Sequence, residues 1–303
     1  MMLYGIESVG KKKSKKKWIL IMIIAILLVA LSIFGAIQLV DYLNIQKNIA
    51  QNGEGKINAA NNQQENQPNH QQNNNQKENA NEIVGSLTEE QIQAINHIYN
   101  SDEKRAFLTF DDGPSYSVTP KILDTLKEEN VKATFFVLGT MVKSNPEILK
   151  REAEEGHYIA NHGYSHVYKN VYKNETAPLE EYKKTNKLIQ DALDNPNYNS
   201  NVFRFPGGSV GGYYDKIKKK AKKVFTENNI AYLDWNALTY DADGASTKEE
   251  IMKNLKKTCG NQNSVVILMH DAPNKDLTAK TLPDVISYLK EKGYTFYNLY
   301  DIL

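Results

Sequence analysis

The hydrophobic and polar positions divide the chain into three unlike regions. Residues 18–40 are an uncharged apolar run, residues 41–85 are rich in Asn and Gln, and residues 104–303 alternate short apolar runs with helical patterns. A helix over 18–40 would be about 34 Å long, enough to cross a hydrocarbon core of roughly 30 Å. The pattern therefore predicts a transmembrane helix, a linker and a folded domain.

The basic segment of residues 1–17 predicts the orientation of this helix. Six lysines lie immediately before the apolar run, and the positive-inside rule keeps such a segment in the cytoplasm. A cleaved signal peptide is the alternative, but the run is longer than a signal core and no small-x-small cleavage site follows it. We expect a single-pass protein of the cell membrane whose folded domain is extracellular.

Residues 41–85 predict a flexible linker, because they contain too little apolar surface to offset the entropy lost on ordering. A flexible chain of this length spans roughly 40 Å, which keeps the folded domain near the membrane. Residues 86–103 follow as a leading segment. Its pattern predicts a short amphipathic helix over 86–100, with Ser86 as the N-cap.

From residue 104 onward the alternation of strands and helices predicts an α/β fold. The seven predicted strands cover residues 106–110, 133–138, 158–161, 202–205, 231–235, 265–269 and 295–299. The predicted helices cover residues 119–129, 146–155, 179–193, 215–227, 248–258 and 282–292. Such a chain closes into a barrel or remains an open doubly wound sheet, and the pattern alone leaves both open.

Polar residues with chemical potential fall near the predicted carboxyl ends of the strands. They are Asp111 and Asp112 after the first strand, His162 after the third, Arg204 in the fourth, Asp241 after the fifth and His270 after the sixth. In both architectures the active site lies at this edge of the sheet. We therefore expect these side chains to converge on one site.

His162 and His166 are four residues apart, a spacing that can direct two imidazoles at one point from a helical turn or tight loop. An isolated pair of this kind is more often two surface histidines, but Asp112 favours a two-His, one-carboxylate metal site. We expect one divalent ion, with zinc first and cobalt or nickel also accepted by these ligands. Non-haem iron oxygenases share the ligand set, but the sequence has no evident oxidant-binding signal.

Four motifs occur in the order and approximate spacing of the polysaccharide deacetylase family, also called the NodB-homology or carbohydrate esterase 4 family. They are Thr109-Phe110-Asp111-Asp112-Gly113-Pro114, His162-Gly163-Tyr164-Ser165-His166, Arg204-Phe205-Pro206-Gly207-Gly208 and Leu268-Met269-His270. The resemblance covers residues 104–303 and implies a distorted (β/α) barrel. With its predicted membrane anchor, the chain resembles the bacterial peptidoglycan N-acetylglucosamine deacetylases.

The resemblance implies a role for each matching residue. Asp111 matches the general base and His270 the general acid, and Arg204 matches the arginine that holds the base. The residues that match the metal ligands are Asp112, His162 and His166. Gly207 matches the position whose backbone N–H binds the oxyanion, and Pro206 and Leu268 are the other expected substrate-binding residues. We expect Asp241 to orient His270 and raise its pKa, with Asp234 as the alternative.

Three positions depart from the family pattern. Gly163 stands where a loop-bracing Ser or Thr is usual, Gly207 stands where an aromatic residue is usual, and Ala242 stands where a tryptophan follows the aspartate. None of these changes removes a metal ligand or a proton-transfer group. They bear on substrate preference.

The resemblance implies hydrolysis of the N-acetyl group of N-acetylglucosamine in peptidoglycan, which releases acetate and lowers lysozyme sensitivity. A chitooligosaccharide deacetylase or an acetylxylan esterase uses the same chemistry, and a catalytically silent wall-binding module is the alternative from another class. The formal net charge of +1 does not suggest a nucleic-acid partner. The cell-wall glycan and the membrane are the expected partners, and no obligate protein partner is evident.

Overall fold

A short helix, α1 (Glu89–Asn96), opens the part of the chain that the computed structural model describes, residues 86–303. It begins at Thr88, whose hydroxyl accepts a hydrogen bond from the backbone N–H of Gln91, while the Gln91 side chain accepts from the Thr88 N–H. The prediction of Ser86 as the cap is wrong. Ser86 and Thr88 each have a Glu or Gln three residues later, so the local pattern does not separate them.

The predicted basic tail, transmembrane helix at 18–40 and linker at 41–85 lie outside the described residues. Between residues 86 and 303, every helix is too short or too polar to cross a bilayer.

Eight strands form one parallel sheet. They are β1 (Arg105–Asp111), β2 (Thr134–Val137), β3 (Tyr158–Asn161), β4 (Val202–Phe203), β5 (Ala231–Tyr232), β6 (Ala237–Leu238), β7 (Ser264–His270) and β8 (Thr295–Tyr297). Their order is β5-β4-β3-β2-β1-β7-β6, with β8 beside the first half of β1. Because this order shows no central reversal of the winding direction, the sheet is a half-barrel and not a doubly wound sheet. The α/β class is thus confirmed, and the predicted distorted (β/α) barrel is confirmed in part, as a parallel half-barrel.

Residues 233–236 connect β5, at one end of the sheet, to β6, at the other end. The backbone N–H of Leu233 donates to Phe203 of β4, and that of Asn236 donates to Val266 of β7. The strand predicted at 231–235 begins at the right residue but ends too late, since β5 ends at Tyr232, and the prediction missed β6. The carbonyls of the connecting segment bond instead to the guanidinium of Arg204, whose Nε lies 3.0 Å from the Leu233 oxygen.

The remaining helices cover the outside of the sheet. They are α2 (Thr119–Glu128), α3 (Gly139–Ser144), α4 (Pro146–Glu154), α5 (Tyr168–Val171), α6 (Ala177–Ala192), α7 (Asp215–Glu227), α8 (Lys248–Cys259) and α9 (Asp276–Glu291), followed by a 3-10 turn (Leu299–Asp301). The prediction missed the two shortest, α3 and α5. It also started the last helix at residue 282, whereas α9 begins six residues earlier and contains Pro283. Proline is most common in the first turn of a helix, so its position within α9 misplaced the boundary.

Two apolar layers hold the sheet in place. β1 buries six of its seven residues, and β7 buries six of seven, as expected for strands covered on both faces. Inside the curve of the sheet, Phe107 and Phe136 pack with Ile95 and Ile98 from α1 and the segment that follows it. Arg105 donates to the carbonyl oxygens of residues 98 and 100. The leading segment thus covers the amino-terminal end of the strands, and the opposite end carries the polar residues.

Candidate metal centre and active site

The predicted site residues meet at the carboxyl ends of the strands. Asp111 is the last residue of β1 and His270 the last of β7, and the two are paired in register. His162 directly follows β3, and Arg204 directly follows β4. Strand register in a parallel sheet therefore brings these residues to one edge although they are far apart in sequence.

Three of these side chains form a compact ligand set. Asp112, His162 and His166 offer one ligand atom each, and these atoms all lie within 4.8 Å of one another. Asp112 Oδ1 is 3.7 Å from His162 Nε2 and 3.6 Å from His166 Nε2. Among residues 86–303, this buried Oδ1 has no hydrogen-bond donor. An unpartnered carboxylate oxygen between two imidazole nitrogens fits a divalent cation such as zinc.

The protonation state of His162 also fits a metal ligand. Burial lowers the pKa of His162 to about 3, so the ring is neutral at pH 7. Its Nδ1 lies 2.7 Å from the carbonyl oxygen of Arg204 and donates to it. This hydrogen bond leaves Nε2 as the unprotonated nitrogen, which faces Asp112.

The backbone at two of the three ligand positions is strained. Asp112 has φ 76° and His166 has φ 54°, the left-handed region that is uncommon for residues with a side chain. Such a conformation costs on the order of 1 kcal/mol or more per residue and is concentrated at functional sites. The next residue, Gly113, must be glycine, because a Cβ there would lie 1.9 Å from the Asp271 carboxylate.

Glu181 of α6 holds the loop between the two histidines. Its carboxylate accepts the backbone N–H groups of Tyr164 and Ser165 at 2.8 and 2.7 Å, and the Ser165 hydroxyl at 3.2 Å. Gly163, where the family hydroxyl is missing, adopts φ 87° in the same loop. Glu181 therefore braces this loop through its backbone and through Ser165. Glu181 was not among the predicted site residues, because no local pattern marks an acid on a helix as the partner of a distant loop.

Asp111 and Arg204 form a buried ion pair next to the ligand set. Arg204 Nη1 lies 2.8 Å from Asp111 Oδ1 and 2.7 Å from the Thr109 hydroxyl, and both members of the pair are buried. Burial raises the pKa of Asp111, and the positive charge of Arg204 opposes the rise. Asp111 Oδ2 lies 3.6 Å from His162 Nε2 and therefore faces the candidate metal position. Asp111 is placed to accept a proton there.

Replacing Arg204 with methionine is expected to lower the free energy of unfolding by about 3–5 kcal/mol, because it leaves the Asp111 carboxylate buried and unpaired. Denaturant unfolding of the purified protein measures this. The matched control is Lys219→Met, which removes an exposed pair with Asp215 and should cost about 1 kcal/mol or less. Equal losses in the two variants would contradict the energetic role assigned to the buried pair.

Asp241, and not Asp234, contacts His270. Its Oδ1 lies 3.0 Å from His270 Nδ1, and its Oδ2 accepts the His270 backbone N–H and the Thr278 hydroxyl, each at 2.8 Å. Asp234 instead binds the backbone N–H and hydroxyl of Ser209. The sequence left the two aspartates as alternatives, and the contact with His270 separates them. Thr278 was missed for the same reason as Glu181.

These contacts move the pKa values of both His270 and Asp241 away from their ordinary values. Burial would lower the pKa of His270, but the hydrogen bond and charge of Asp241, together with the charges of Asp111 and Asp112, raise it to about 9. Burial would raise the pKa of Asp241, but the hydrogen bonds from His270 and Thr278 lower it overall. At neutral pH the pair is an imidazolium and a carboxylate, so His270 carries a proton that it can donate.

The expected substrate-binding residues differ in exposure. Gly207 is exposed in the loop after β4, with φ 70°, and its carbonyl oxygen accepts from the Lys218 ammonium at 3.1 Å. Pro206 is buried, and its carbonyl oxygen accepts from the Tyr172 hydroxyl at 2.7 Å. Leu268 is buried in β7. Of the three, only Gly207 presents a substantial surface to an incoming ligand.

Comparisons with known proteins decide the family. A family model described as polysaccharide deacetylase matches residues 98–226. A peptidoglycan-N-acetylglucosamine deacetylase of Bacillus cereus is 37% identical over 217 residues, which cover 71% of this chain and 73% of that protein. The chain belongs to the polysaccharide deacetylase family. The resemblance inferred from the four motifs is thus confirmed.

Other polysaccharide deacetylase relatives differ in how much of their length is matched. The peptidoglycan-N-acetylglucosamine deacetylase PgdA of Listeria monocytogenes is 37% identical over 197 residues, which cover 64% of this chain but only 37% of the Listeria protein. The structure of a Streptococcus mutans CE4 esterase matches with a TM-score of 0.63 and 33% identity, covering 68% of this chain and 90% of that one. The fold and the matched region are therefore those of the family's common domain.

Proposed function

We propose that this protein is a metal-dependent hydrolase that removes the N-acetyl group from N-acetylglucosamine residues of peptidoglycan and releases acetate. The observation that carries the proposal is the unpartnered Asp112 Oδ1 between two histidine nitrogens. It lies beside a buried carboxylate and an imidazolium, so metal ligands, a base and an acid are available together. A binding module needs none of these proton-transfer groups.

The metal would be held by Asp112, His162 and His166. A bound divalent ion lowers the pKa of a water molecule and polarises a carbonyl group, which makes a stable amide susceptible to hydrolysis near neutral pH. Zinc suits two imidazoles and one carboxylate, and cobalt or nickel accepts the same ligands.

The chain's own residues supply the proton transfers. Asp111 takes a proton from the attacking water as the bond from oxygen to the acetamide carbon forms, and its raised pKa makes it a stronger base. Arg204 holds the Asp111 carboxylate in place through Oδ1, which leaves Oδ2 directed at the site. His270 donates its proton to the amine nitrogen as the carbon–nitrogen bond breaks, so acetate and a glucosamine amine are the products.

The backbone N–H of Gly207 is our candidate for the hydrogen-bond donor to the developing oxyanion, because it lies on the exposed loop that follows Arg204. Pro206 and Leu268 would support this loop and the strand beneath it from buried positions. The two named relatives, both peptidoglycan-N-acetylglucosamine deacetylases, support the choice of peptidoglycan as substrate.

We also propose that residues 18–40 anchor the protein in the cell membrane, with residues 1–17 in the cytoplasm and the catalytic domain outside. The uncharged run and the six lysines before it support this topology. Deacetylation of the wall would then lower its sensitivity to lysozyme. Comparing lysozyme sensitivity of cells with and without the protein measures that consequence.

Acetate release from purified peptidoglycan tests the proposed chemistry. The full-length protein in detergent should release acetate, lose this activity after chelation and regain it when zinc is restored. Release that persists without bound metal would contradict the metal mechanism. No release from peptidoglycan, but release from chitin oligomers or acetylated xylan, would contradict the proposed substrate.

A further inference from the structure

Tyr168 occupies the space that a side chain at residue 207 would need. A Cβ built on Gly207 would lie 2.5 Å from the Tyr168 hydroxyl oxygen and 3.2 Å from the ring carbon that bears it. The Cβ atoms of real side chains essentially never lie within 3.0 Å of a neighbouring atom. A side chain at residue 207 and the Tyr168 phenol therefore cannot both occupy this position as the ring now lies.

Neighbouring aromatic rings hold the Tyr168 ring at the edge of the metal centre. Its centroid lies 5.5 Å from that of His166, 5.8 Å from Tyr172 and 6.3 Å from Tyr214, all with steep edge-to-face angles. Such contacts favour a defined ring orientation. Tyr172 also donates to the Pro206 carbonyl, so the aromatic cluster joins α5 to the loop after Arg204.

Tyr168 is nevertheless accessible. The residue is 40% exposed, and its hydroxyl reaches the Gly207 position, next to the backbone proposed to bind the oxyanion. A tyrosine offers an apolar face that can pack on the C–H face of a sugar ring and a hydroxyl that can bond to a sugar oxygen. These properties suit a wall that positions a sugar beside a metal centre.

We propose that Tyr168 is the specificity-determining wall of the substrate cleft and contacts the sugar that carries the acetyl group. Its hydroxyl fills, from the start of α5, the space beside Gly207, which has no side chain of its own. This inference rests on the proposed function for its substrate class, an N-acetylated sugar. It assigns sugar recognition to a residue outside the four motifs.

Binding and kinetics of Tyr168 variants test the assignment. With N-acetylglucosamine oligomers as the probe, Tyr168→Phe should weaken binding and raise KM by about 3- to 10-fold, the value of one hydrogen bond, with kcat little changed. Tyr168→Ala should weaken binding further, because the packing surface is also lost. Because Tyr168→Phe keeps the ring beside His166, the zinc content of this variant should match that of the unchanged protein. Tyr288→Ala, on the outer helix α9, is the matched control and should alter none of these values.

A double-mutant cycle tests the shared space. Gly207→Tyr should weaken oligomer binding in the unchanged protein but strengthen it in the Tyr168→Ala background, where room is available. A side chain at φ 70° strains the backbone equally in both backgrounds. This free-energy cost therefore cancels in the cycle.

The outcomes separate this inference from the proposed function. Oligomer binding that depends on Tyr168 supports the inference even if the protein releases no acetate, a result that would overturn only the proposed deacetylase activity. Acetate release with binding and KM unaffected by both Tyr168 variants would overturn the inference and leave the proposed function standing. Equal effects of Gly207→Tyr in the two backgrounds would overturn the claim of shared space.

Discussion

Replacing Asp112 with alanine is expected to abolish zinc binding and acetate release together. The substitution removes the one carboxylate oxygen that lies between the two histidine nitrogens. A Lewis acid contributes several kcal/mol of transition-state stabilisation, so the rate should fall roughly 10³-fold or more. Acetate release at saturating peptidoglycan, with zinc measured on the same protein sample, gives both quantities.

Asp112→Asn is the informative companion, because the residue has φ 76°. Alanine adds backbone strain at this position, whereas asparagine tolerates the left-handed conformation and changes mainly the charge. The asparagine variant should therefore keep the thermal stability of the metal-free protein and still lose zinc. Substantial acetate release from a zinc-free asparagine variant would exclude Asp112 as an essential ligand.

The placement of Asp112 shows why much of this site is predictable from sequence. The apolar run that becomes β1 ends in two acids, and parallel strands bring their carboxyl ends to one edge. The same rule places His162 after β3 and His270 at the end of β7. Local pattern and strand direction are therefore sufficient to gather residues that are about 160 positions apart.

The errors arise where long-range contacts override local pattern. Residues 231–235 have the apolar character of one strand, but the Leu233 and Asp234 carbonyls accept from Arg204 and the chain leaves the sheet. A buried arginine thus replaces the hydrogen bonds of a neighbouring strand, and no local periodicity reports this. The choice between Asp241 and Asp234 depended on the same segment, because both lie near the predicted end of that strand.

Glu181 and Tyr168 illustrate a second limit. Each lies beside a glycine that departs from the family pattern, Glu181 beside Gly163 and Tyr168 beside Gly207. The departures are visible in the sequence, but the residues beside them come from distant helices. Motif comparison therefore identifies the unusual positions, and only the structure identifies their neighbours.

The second large effect is expected at the His270–Asp241 pair. Asp241→Asn removes the negative charge that opposes the effect of burial on His270. The pKa of His270 should then fall from about 9 to its ordinary value of 6.5 or below. Titration of the His270 ring by NMR in the variant and the unchanged protein measures this shift directly.

The lower pKa of His270 in Asp241→Asn should change how the rate depends on pH. A general acid must be protonated, so the unchanged protein should keep its rate as pH rises and lose it only near pH 9. The Asp241→Asn variant should lose its rate above about pH 6.5, and at pH 8 its kcat should be roughly 30-fold lower from protonation alone. Asp234→Asn is the control, because Asp234 binds Ser209 and not His270, so its alkaline limb should stay near pH 9. An alkaline limb that does not move in Asp241→Asn would mean that a group other than His270 delivers the proton to the leaving amine.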